Sequence, residues 1–567
     1  MVKWLLLYLT TLVFFLSYAK KKPEEKIIKT NYGSVKGRSF SYYNNTITEY
    51  LGIPFAKPPV GNLRFRPPKE LDIPAWNGTF NAHIMANSCS AEVFMTNFTG
   101  YDFWNPTNTI SEDCLQLNMW VPEKKHGGVL VYIYGGAFYS GSASLDVYNG
   151  SVLAAMTNTI VVNLNYRLGV LGFAFLANSD IPGNMGLLDQ QMGMKWVYEN
   201  IEYFGGDKKR ITIWGESAGS VSVTSHLYAP GSHKYFNRII SNSGVVDSIW
   251  GKFTPKYMEQ ATRNVAHKLG CNVTDNIRAI VKCLTKAEIN DVVTAGSEVQ
   301  ASSPLVFGFV FSPIELDYSF YKGNVTSKIR SNDMKRDIDL FIGKTSNEFT
   351  YFMPIYFSGK KYGCNYDTKY SASSKKNACI INKKNYDNIF KKVAKQIGLK
   401  KSVRNSLKKK FLKYKNNYRD AASKFLSEVY FECDILNFTT KASRVIDGNV
   451  FYYKFSVVSS ANPWPKWMGA MHGYELEYEF GMPFRRPNMY KKKMLEKEKK
   501  FSKHFMELIG NFVNTGIPSP KWVKFFPHTR IGMYLQLQKD FSYLLNKQRM
   551  FTKTCQKLGP YIPRRMA

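Results

Sequence analysis

The chain has 567 residues, 44% hydrophobic and 21% charged, enough apolar material to bury a large core, which excludes disorder and fibrous repeats. Lys+Arg number 77 against 43 Asp+Glu, a formal net charge of +34, which raises nucleic acid or an anionic membrane as a partner. Neither fits the pattern. The positive residues thicken at Lys391–Lys415 and Lys491–Lys503 between apolar residues at helical spacing, as solvated helix faces do, and no zinc-finger or RNP-type motif accompanies them.

At the N-terminus, MVKWLLLYLTTLVFFLSYA sets Lys3 before an apolar run from Trp4 to Phe15 and ends in Ser17-Tyr18-Ala19. This reads as a secretory signal over residues 1–19, with the mature chain starting near Lys20, because the run is shorter than the ~20 residues a bilayer needs. No later stretch has spanning length without charges, so a secreted, unanchored protein is expected. Seven Asn-x-Ser/Thr sequons, at Asn44, Asn77, Asn97, Asn149, Asn272, Asn324 and Asn437, are candidate glycosylation sites in that compartment. Eight cysteines with no C-x-x-C pair read as disulfides rather than a metal site. Neighbour pairing suggests Cys89 with Cys114, Cys271 with Cys283 and Cys364 with Cys379, leaving Cys433 for Cys555, although counting alone permits many alternatives.

Short β-rich runs then alternate with helical stretches: VLVYIYGG from Val129, TIVVNLNYR from Thr159, RITIWGES from Arg210, DIDLFIGKTSNE from Asp337 and VFYYKFSV from Val450. Nearly all-apolar runs suit strands buried on both faces, so the expected class is α/β with a central, largely parallel sheet. The segment QQMGMKWVYENIEYFGG from Gln190 places Met192, Trp196, Ile201 and Phe204 on one helical face and stops at Gly205-Gly206. No internal repeat, low-complexity tract or Pro/Ser-rich linker divides the chain, so residues 20–567 are expected to form a single domain.

The strongest local signal is Ile211-Thr-Ile-Trp-Gly-Glu-Ser-Ala-Gly-Ser220, a strand entering G-x-S-x-G and then a helix. Gly215 and Gly219 leave room for strand and helix to approach while Ser217 projects from a strained turn. Upstream, the strand from Val129 ends in Gly135-Gly136-Ala137, the position of a loop that donates backbone N–H groups to an oxyanion hole. The amides of Gly136, Ala137 and Ala218 are the candidate donors. An acid and a base follow in chain order. Glu348 stands just past the DLFIG strand. Of the three histidines after residue 300, His472 sits among glycines and aromatics, His504 on a lysine-rich helix and His528 in a polar loop.

Taken with YLGIPFAKPPVGNLRF, FWNPTNTISEDCLQLNMW, YGGAFYSGSASLDVYNG, GNMGLLDQ and WPKWMGAMHGYE, these motifs make the sequence resemble the cholinesterase branch of the type-B carboxylesterases over nearly the whole mature chain. The resemblance implies an α/β-hydrolase fold with its site at the foot of an aromatic-lined gorge. It also implies acetylcholine cleavage by Ser217, His472 and Glu348 without metal or organic cofactor. Trp104, Glu216 and Tyr351 match choline-pocket positions, Phe307 and Phe309 the acyl pocket, and Tyr139 a gorge wall. Standing alone, VFGFVFSP would read as an ordinary buried strand. Three of the cysteine pairs match the family's bridges, and Cys364–Cys379 is an addition. With no free cysteine or aromatic tail for covalent linkage, a monomer or non-covalent dimer is expected, and a small choline ester is the expected partner.

Departures from the family temper that expectation. The segment after Cys89 is short, leaving Glu92 and Asp102 as candidates for the acid at the gorge mouth, and the peripheral-site tryptophan is missing. Ala137 replaces a glycine, which strains the loop if that site needs φ > 0. The charge of +34 opposes steering of a cation unless the gorge is locally negative. The competing expectations are a general carboxylesterase for neutral esters, a non-catalytic adhesion protein of the same fold, and a choline-ester-binding protein with weak catalysis.

Overall fold

In a computed structural model of the full chain, the structure describes residues 23–43, 45–177, 180–271, 276–303, 305–414, 417–537 and 543–564. The expected signal over residues 1–19, Asn44 and Asn272 lie outside the described residues. Among the described residues, the path of the main sheet takes twelve strands, in chain order β1 (Glu24–Thr30), β2 (Gly33–Tyr42), β3 (Asn45–Pro54), β4 (Gln116–Pro122), β5 (Val129–Ile133), β6 (Ile160–Leu164), β7 (Ile211–Glu216), β8 (Arg238–Asn242), β9 (Asp339–Thr345), β10 (Val450–Phe455), β11 (Ile531–Leu537) and β12 (Tyr543–Arg549). They form one sheet in the order β1-β2-β3-β4-β6-β5-β7-β8-β9-β10-β11-β12, with Thr79–Asn81 added beside β2.

The strands from β6 across to β11 are parallel to one another, and antiparallel strands flank them at both edges. Every residue of β5, β6 and β7 is buried, because crossover helices cover both faces of a parallel sheet and leave no polar side to alternate with. Seven helices matter below: α1 (Met185–Asn200), α2 (Ala218–His226), α3 (Lys383–Gln396), α4 (Lys401–Tyr414), α5 (Tyr418–Ser427), α6 (Cys433–Ala442) and α7 (Leu495–Thr515). The helix expected from Gln190 is the second half of α1. It tightens into a 3-10 turn over Ile201–Phe204 and ends at Gly205, whose φ of 80° only glycine adopts without strain.

Chain order and sheet order diverge around β5: β6 lies on one side of it and the next strand, β7, on the other. Such a switch point opens a crevice at the carboxyl ends of the strands, where ligands of open α/β sheets bind. Among the described residues, no helix is long and apolar enough to cross a membrane. The run VFGFVFSP is irregular loop rather than strand, which removes the buried-strand reading of Phe307 and Phe309.

Candidate active site

Parallel pairing sets Ile133 of β5 opposite Gly215 of β7, so two further residues on each chain bring Gly135 abreast of Ser217. A Cβ on Gly135 would stand 2.9 Å from the Ser217 Cβ. Ser217 has φ 58° and ψ −121° and opens α2, a sharp turn that puts its side chain above the sheet. The flanking glycines are sterically required. A Cβ on Gly215 would meet Gly219 O at 2.2 Å, and one on Gly219 would meet Ile133 O at 1.9 Å.

The loop after β5 is left-handed at three successive residues: Gly136 at φ 117°, Ala137 at 57° and Phe138 at 66°. Ala137 therefore occupies the conformation in which a side chain costs roughly 1–2 kcal/mol, and the loop keeps its shape at that cost. Gly136 has no substitute, since a Cβ there would stand 2.2 Å from Ser140 O. Gly136 and Ala137 both line the cavity above Ser217, and Ala218 follows Ser217 at the start of α2.

Glu348 is fully buried three residues beyond β9. Its Oε2 accepts a 2.7 Å hydrogen bond from His472 Nδ1. Its Oε1 accepts from Ser243 Oγ and from the Thr345 backbone N–H, each at 2.7 Å. These bonds fix the imidazole so that Nε2 faces away from Glu348. Nε2 lies 3.2 Å from Glu216 Oε1, yet neither atom has a hydrogen-bond partner, which leaves Nε2 open to receive a proton.

Burial alone pushes the His472 imidazole down, but the carboxylates of Glu216 and Glu348 outweigh it and the net shift is upward. Burial, reinforced by Glu348 and opposed by His472, raises the Glu216 carboxyl to about 7. The rings of Phe431 and Phe352 pack on His472, with centroids 4.8 and 5.1 Å away.

A cavity of about 150 Å³ gathers these groups with Trp104, Tyr139, Glu216, Phe307, Phe309 and Tyr351, side chains contributed by loops spread over the chain. Trp104 reaches it because residue 473 is glycine: a Cβ there would stand 3.2 Å from the indole Cη2 and 3.5 Å from Glu216 Oε1. Phe307 and Phe309 lie edge to face at 5.2 Å, with Trp250 behind Phe309 at 5.9 Å. An indole, a carboxylate and a narrow aromatic pocket around a serine suit an ester with a cationic alcohol and a short acyl group.

A second, outer chamber of about 650 Å³ shares Tyr139, Ile355 and Tyr356 with the inner one. Glu92 lines this chamber with Glu298 and Lys392. Asp102 does not. Its Oδ1 accepts hydrogen bonds from the backbone N–H and the hydroxyl of Thr96 at 2.8 and 2.9 Å, which close the loop between them.

Sequence reasoning missed Ser243, Trp250, Phe352, Tyr356 and Phe431. Phe431 sits on a π-helical turn, Glu428–Glu432, an irregularity with no signature in hydrophobic spacing. Phe352 and Tyr356 lie one and five residues past Tyr351, so the aromatic cluster there was the one available signal.

The structure contains four disulfides, Cys89–Cys114, Cys271–Cys283, Cys364–Cys379 and Cys433–Cys555, and no free cysteine. Among the described residues one group approximates a metal-ligand set, Glu428 with Cys433 and Cys555, but its two sulfurs are bonded to each other and offer no thiolate. Of the sequons described, Asn77 and Asn97 are exposed, whereas Asn149, Asn324 and Asn437 are half-buried. Of the other late histidines, His504 is part-buried on α7 and burial lowers its imidazole to about 4, while His528 stacks on Phe526 at 5.7 Å. Neither lines the cavity.

The elbow, the buried acid–base pair and the switch-point cavity define an α/β-hydrolase of the ester-cleaving kind. The chain belongs to the carboxylesterase family, whose model matches residues 24–557, and it is a carboxylic ester hydrolase of cholinesterase-like type. It is 35% identical to the cholinesterase of Mus musculus over 553 residues, covering 95% of this chain and 87% of the relative. It is 32% identical to acetylcholinesterase 4 of Caenorhabditis briggsae over 590 residues, covering 97% and 92% respectively. Identity to the acetylcholinesterase of Danio rerio is also 32%, over 557 residues, with coverages of 90% and 83%.

Proposed function

We propose that the protein is a secreted serine hydrolase that cleaves acetylcholine to choline and acetate through an acetyl-serine intermediate. The observation that carries this reading is the inner cavity, where Ser217 and His472 share about 150 Å³ with Trp104, Glu216, Phe307 and Phe309. The similarity to a cholinesterase and to acetylcholinesterases supports a choline ester as substrate.

In the proposed reaction, Ser217 Oγ attacks the acetyl carbonyl as its proton passes to His472 Nε2, and Glu348 stabilises the imidazolium. The N–H groups of Gly136, Ala137 and Ala218 hold the oxyanion. The imidazolium returns the proton to the departing choline oxygen. Water then attacks the acetyl-enzyme through the same base, releasing acetate and restoring the serine. Trp104 takes the quaternary ammonium against its indole face, a contact worth about 2 kcal/mol once desolvated. Tyr351 and the charge of Glu216 complete that pocket.

Residues 20–567 as one catalytic domain, and export, belong to the same reading. Four disulfides without a free thiol suit an oxidising compartment. A general carboxylesterase acting on neutral esters is the second reading, favoured by the net charge of +34.

The deciding experiment compares kcat/KM on acetylthiocholine, butyrylthiocholine and phenyl acetate, with Ser217→Ala as the blank. Preference for acetylthiocholine with a sharp fall on the butyryl ester is expected. Preference for phenyl acetate overturns the choline-ester assignment, and activity that survives Ser217→Ala overturns the nucleophile.

A further inference from the structure

A cavity of about 870 Å³ shares no lining residue with the one above Ser217, and its walls are strongly basic. Lys410 of α4, Arg419 and Lys424 of α5, Lys454 of β10 and Lys553 line it, against two carboxylates, Asp420 and Glu428. These cations come from four separate stretches of chain, so they are not a lysine run lying along one helix face. Four of the five are half-buried, and Lys553 is exposed.

The side chains are also held in place. Arg419 Nε donates to Asp420 at 2.9 Å, and its guanidinium lies 5.0 Å from the Trp467 ring. Lys424 Nζ donates to Glu432 Oε1 at 2.6 Å. The Lys454 ammonium sits 4.9 Å over the Tyr534 ring, and Lys410 Nζ donates to Thr554 Oγ1 at 2.5 Å. Ordering long cationic side chains around an open space costs rotamer entropy and adds like-charge repulsion.

The neighbouring charges act in both directions: burial lowers Lys424, but Glu432 and Glu428 outweigh it and the net shift is upward. Burial lowers Lys410, Glu428 opposes, and Lys557, Lys553 and Lys424 lower it further. Behind the wall, burial together with the charges of Lys424 and Lys454 brings the buried Lys344 down to about 8, against the opposing pull of Glu432. Among the described residues, five cations and two carboxylates line the wall, and behind it Glu432 pairs with Lys424 and Lys344.

We propose that this cavity is a binding site for a small polyanion carrying two or more linked phosphate groups. Its volume falls in the range of about 300–1,000 Å³ typical of ligand pockets. A single phosphate engages only part of a wall whose cations come from four elements, whereas a chain of phosphates reaches several at once. Charge-assisted N–H···O bonds to phosphate oxygens are the strong ones. Ser423 and Ser456 add hydroxyl donors on the same lining. The wall also includes Ser346 and Asn347, the two residues before Glu348. Ser427, another lining residue, accepts the Phe349 N–H at 3.0 Å, so the site abuts the segment that carries the candidate catalytic acid.

The test is isothermal titration of the full chain with sodium tripolyphosphate and, separately, with inorganic phosphate, at low ionic strength and neutral pH. Binding at one site is expected, with tripolyphosphate at least about tenfold tighter than monophosphate. Lys410→Gln/Lys454→Gln is expected to weaken tripolyphosphate by a further factor of about ten or more. Lys492→Gln/Lys493→Gln removes the same charge from the exposed turn before α7 and is expected to leave affinity within about twofold, as screened surface charges do.

Equal losses in the two double variants, a stoichiometry of several anions per chain, or no binding at all would overturn the site in favour of a diffuse basic surface. Thermal melting and esterase activity check that each variant folds. Should the cavity variant fail to fold, exposed Lys553→Gln carries the same test, and unchanged affinity there counts against the proposal.

Discussion

Phe309 gives the sharpest test of the acyl pocket, because its neighbours allow the ring to be removed without dismantling the core. Phe307 contacts Phe349, Phe352, Tyr356 and Tyr430 at 4.9–5.2 Å between centroids, so Phe307→Ala deletes a keystone and is expected to cost the ~3–5 kcal/mol of a large buried truncation. Phe309 instead meets Phe307, Trp250 and Tyr139 at 5.2, 5.9 and 6.0 Å and faces the cavity. A butyryl group exceeds acetyl by two methylenes, each worth about 0.8 kcal/mol when buried. Space for both is therefore worth up to about 1.6 kcal/mol, or roughly fifteenfold in kcat/KM. Phe309→Ala is expected to raise kcat/KM for butyrylthiocholine about tenfold towards that limit, and to lower it a few-fold for acetylthiocholine as the small acyl group loses its wall. Steady-state rates with both thioesters, on protein whose melting temperature confirms folding, make the measurement. An unchanged butyryl-to-acetyl ratio in a folded variant would show that this ring is packing and that the acyl group lies elsewhere.

Trp104→Ala should lower kcat/KM for acetylthiocholine about thirtyfold, the equivalent of an indole–cation contact of about 2 kcal/mol, while phenyl acetate changes little. A parallel loss on both substrates would mean that Trp104 supports the fold of the site rather than the cation. Catalysis by His472 needs the neutral imidazole, and because Glu216 and Glu348 raise it, acid inactivation sets in at higher pH than for an unperturbed histidine. Glu216→Gln removes one of those charges, so the acid limb of the kcat/KM profile on phenyl acetate should move to lower pH; a limb that stays put excludes Glu216 as an influence on the base. Finally, a net charge of +34 repels a cationic ester, so kcat/KM for acetylthiocholine should rise with added salt and that for phenyl acetate should not. A fall with salt would mean that the local carboxylates govern encounter.

The parts of the site that sequence exposes are those fixed by backbone geometry. Gly215 and Gly219 bracket Ser217 because any larger residue would collide with Gly219 O or Ile133 O, and such constraints write short, local patterns. Strands buried on both faces are equally plain, since β5 to β7 carry no solvent side to interrupt them. Ser243 is different: it earns its place only because the end of β8 lies beside the end of β9, where its hydroxyl reaches Glu348. Phe431 reaches His472 from a π-helical turn between α5 and α6. Side chains that converge from separate loops leave no periodicity, so such residues emerge only when the chain is folded.

The positive charge and the proposed cationic substrate are compatible once distance is considered. At physiological salt the Debye length is about 8 Å, so lysines on the outer helix faces set the rate at which a cation approaches more than the energy it has once bound. Inside, the balance reverses. Among the described residues, Glu216 is the one carboxylate on the inner cavity and no lysine or arginine lines it, while Glu92 and Glu298 outnumber Lys392 on the outer chamber. Glu216 is buried, and a charge–charge interaction at a buried site is several times stronger than in bulk solvent. The half-buried cations Lys410, Arg419, Lys424 and Lys454 instead line a separate cavity. The fold thus divides its charge by location: among the described residues, carboxylates line the inner cavity and the chamber beside it, and lysines with an arginine line a separate space, so that the proposed cation site and the proposed anion site share no lining residue.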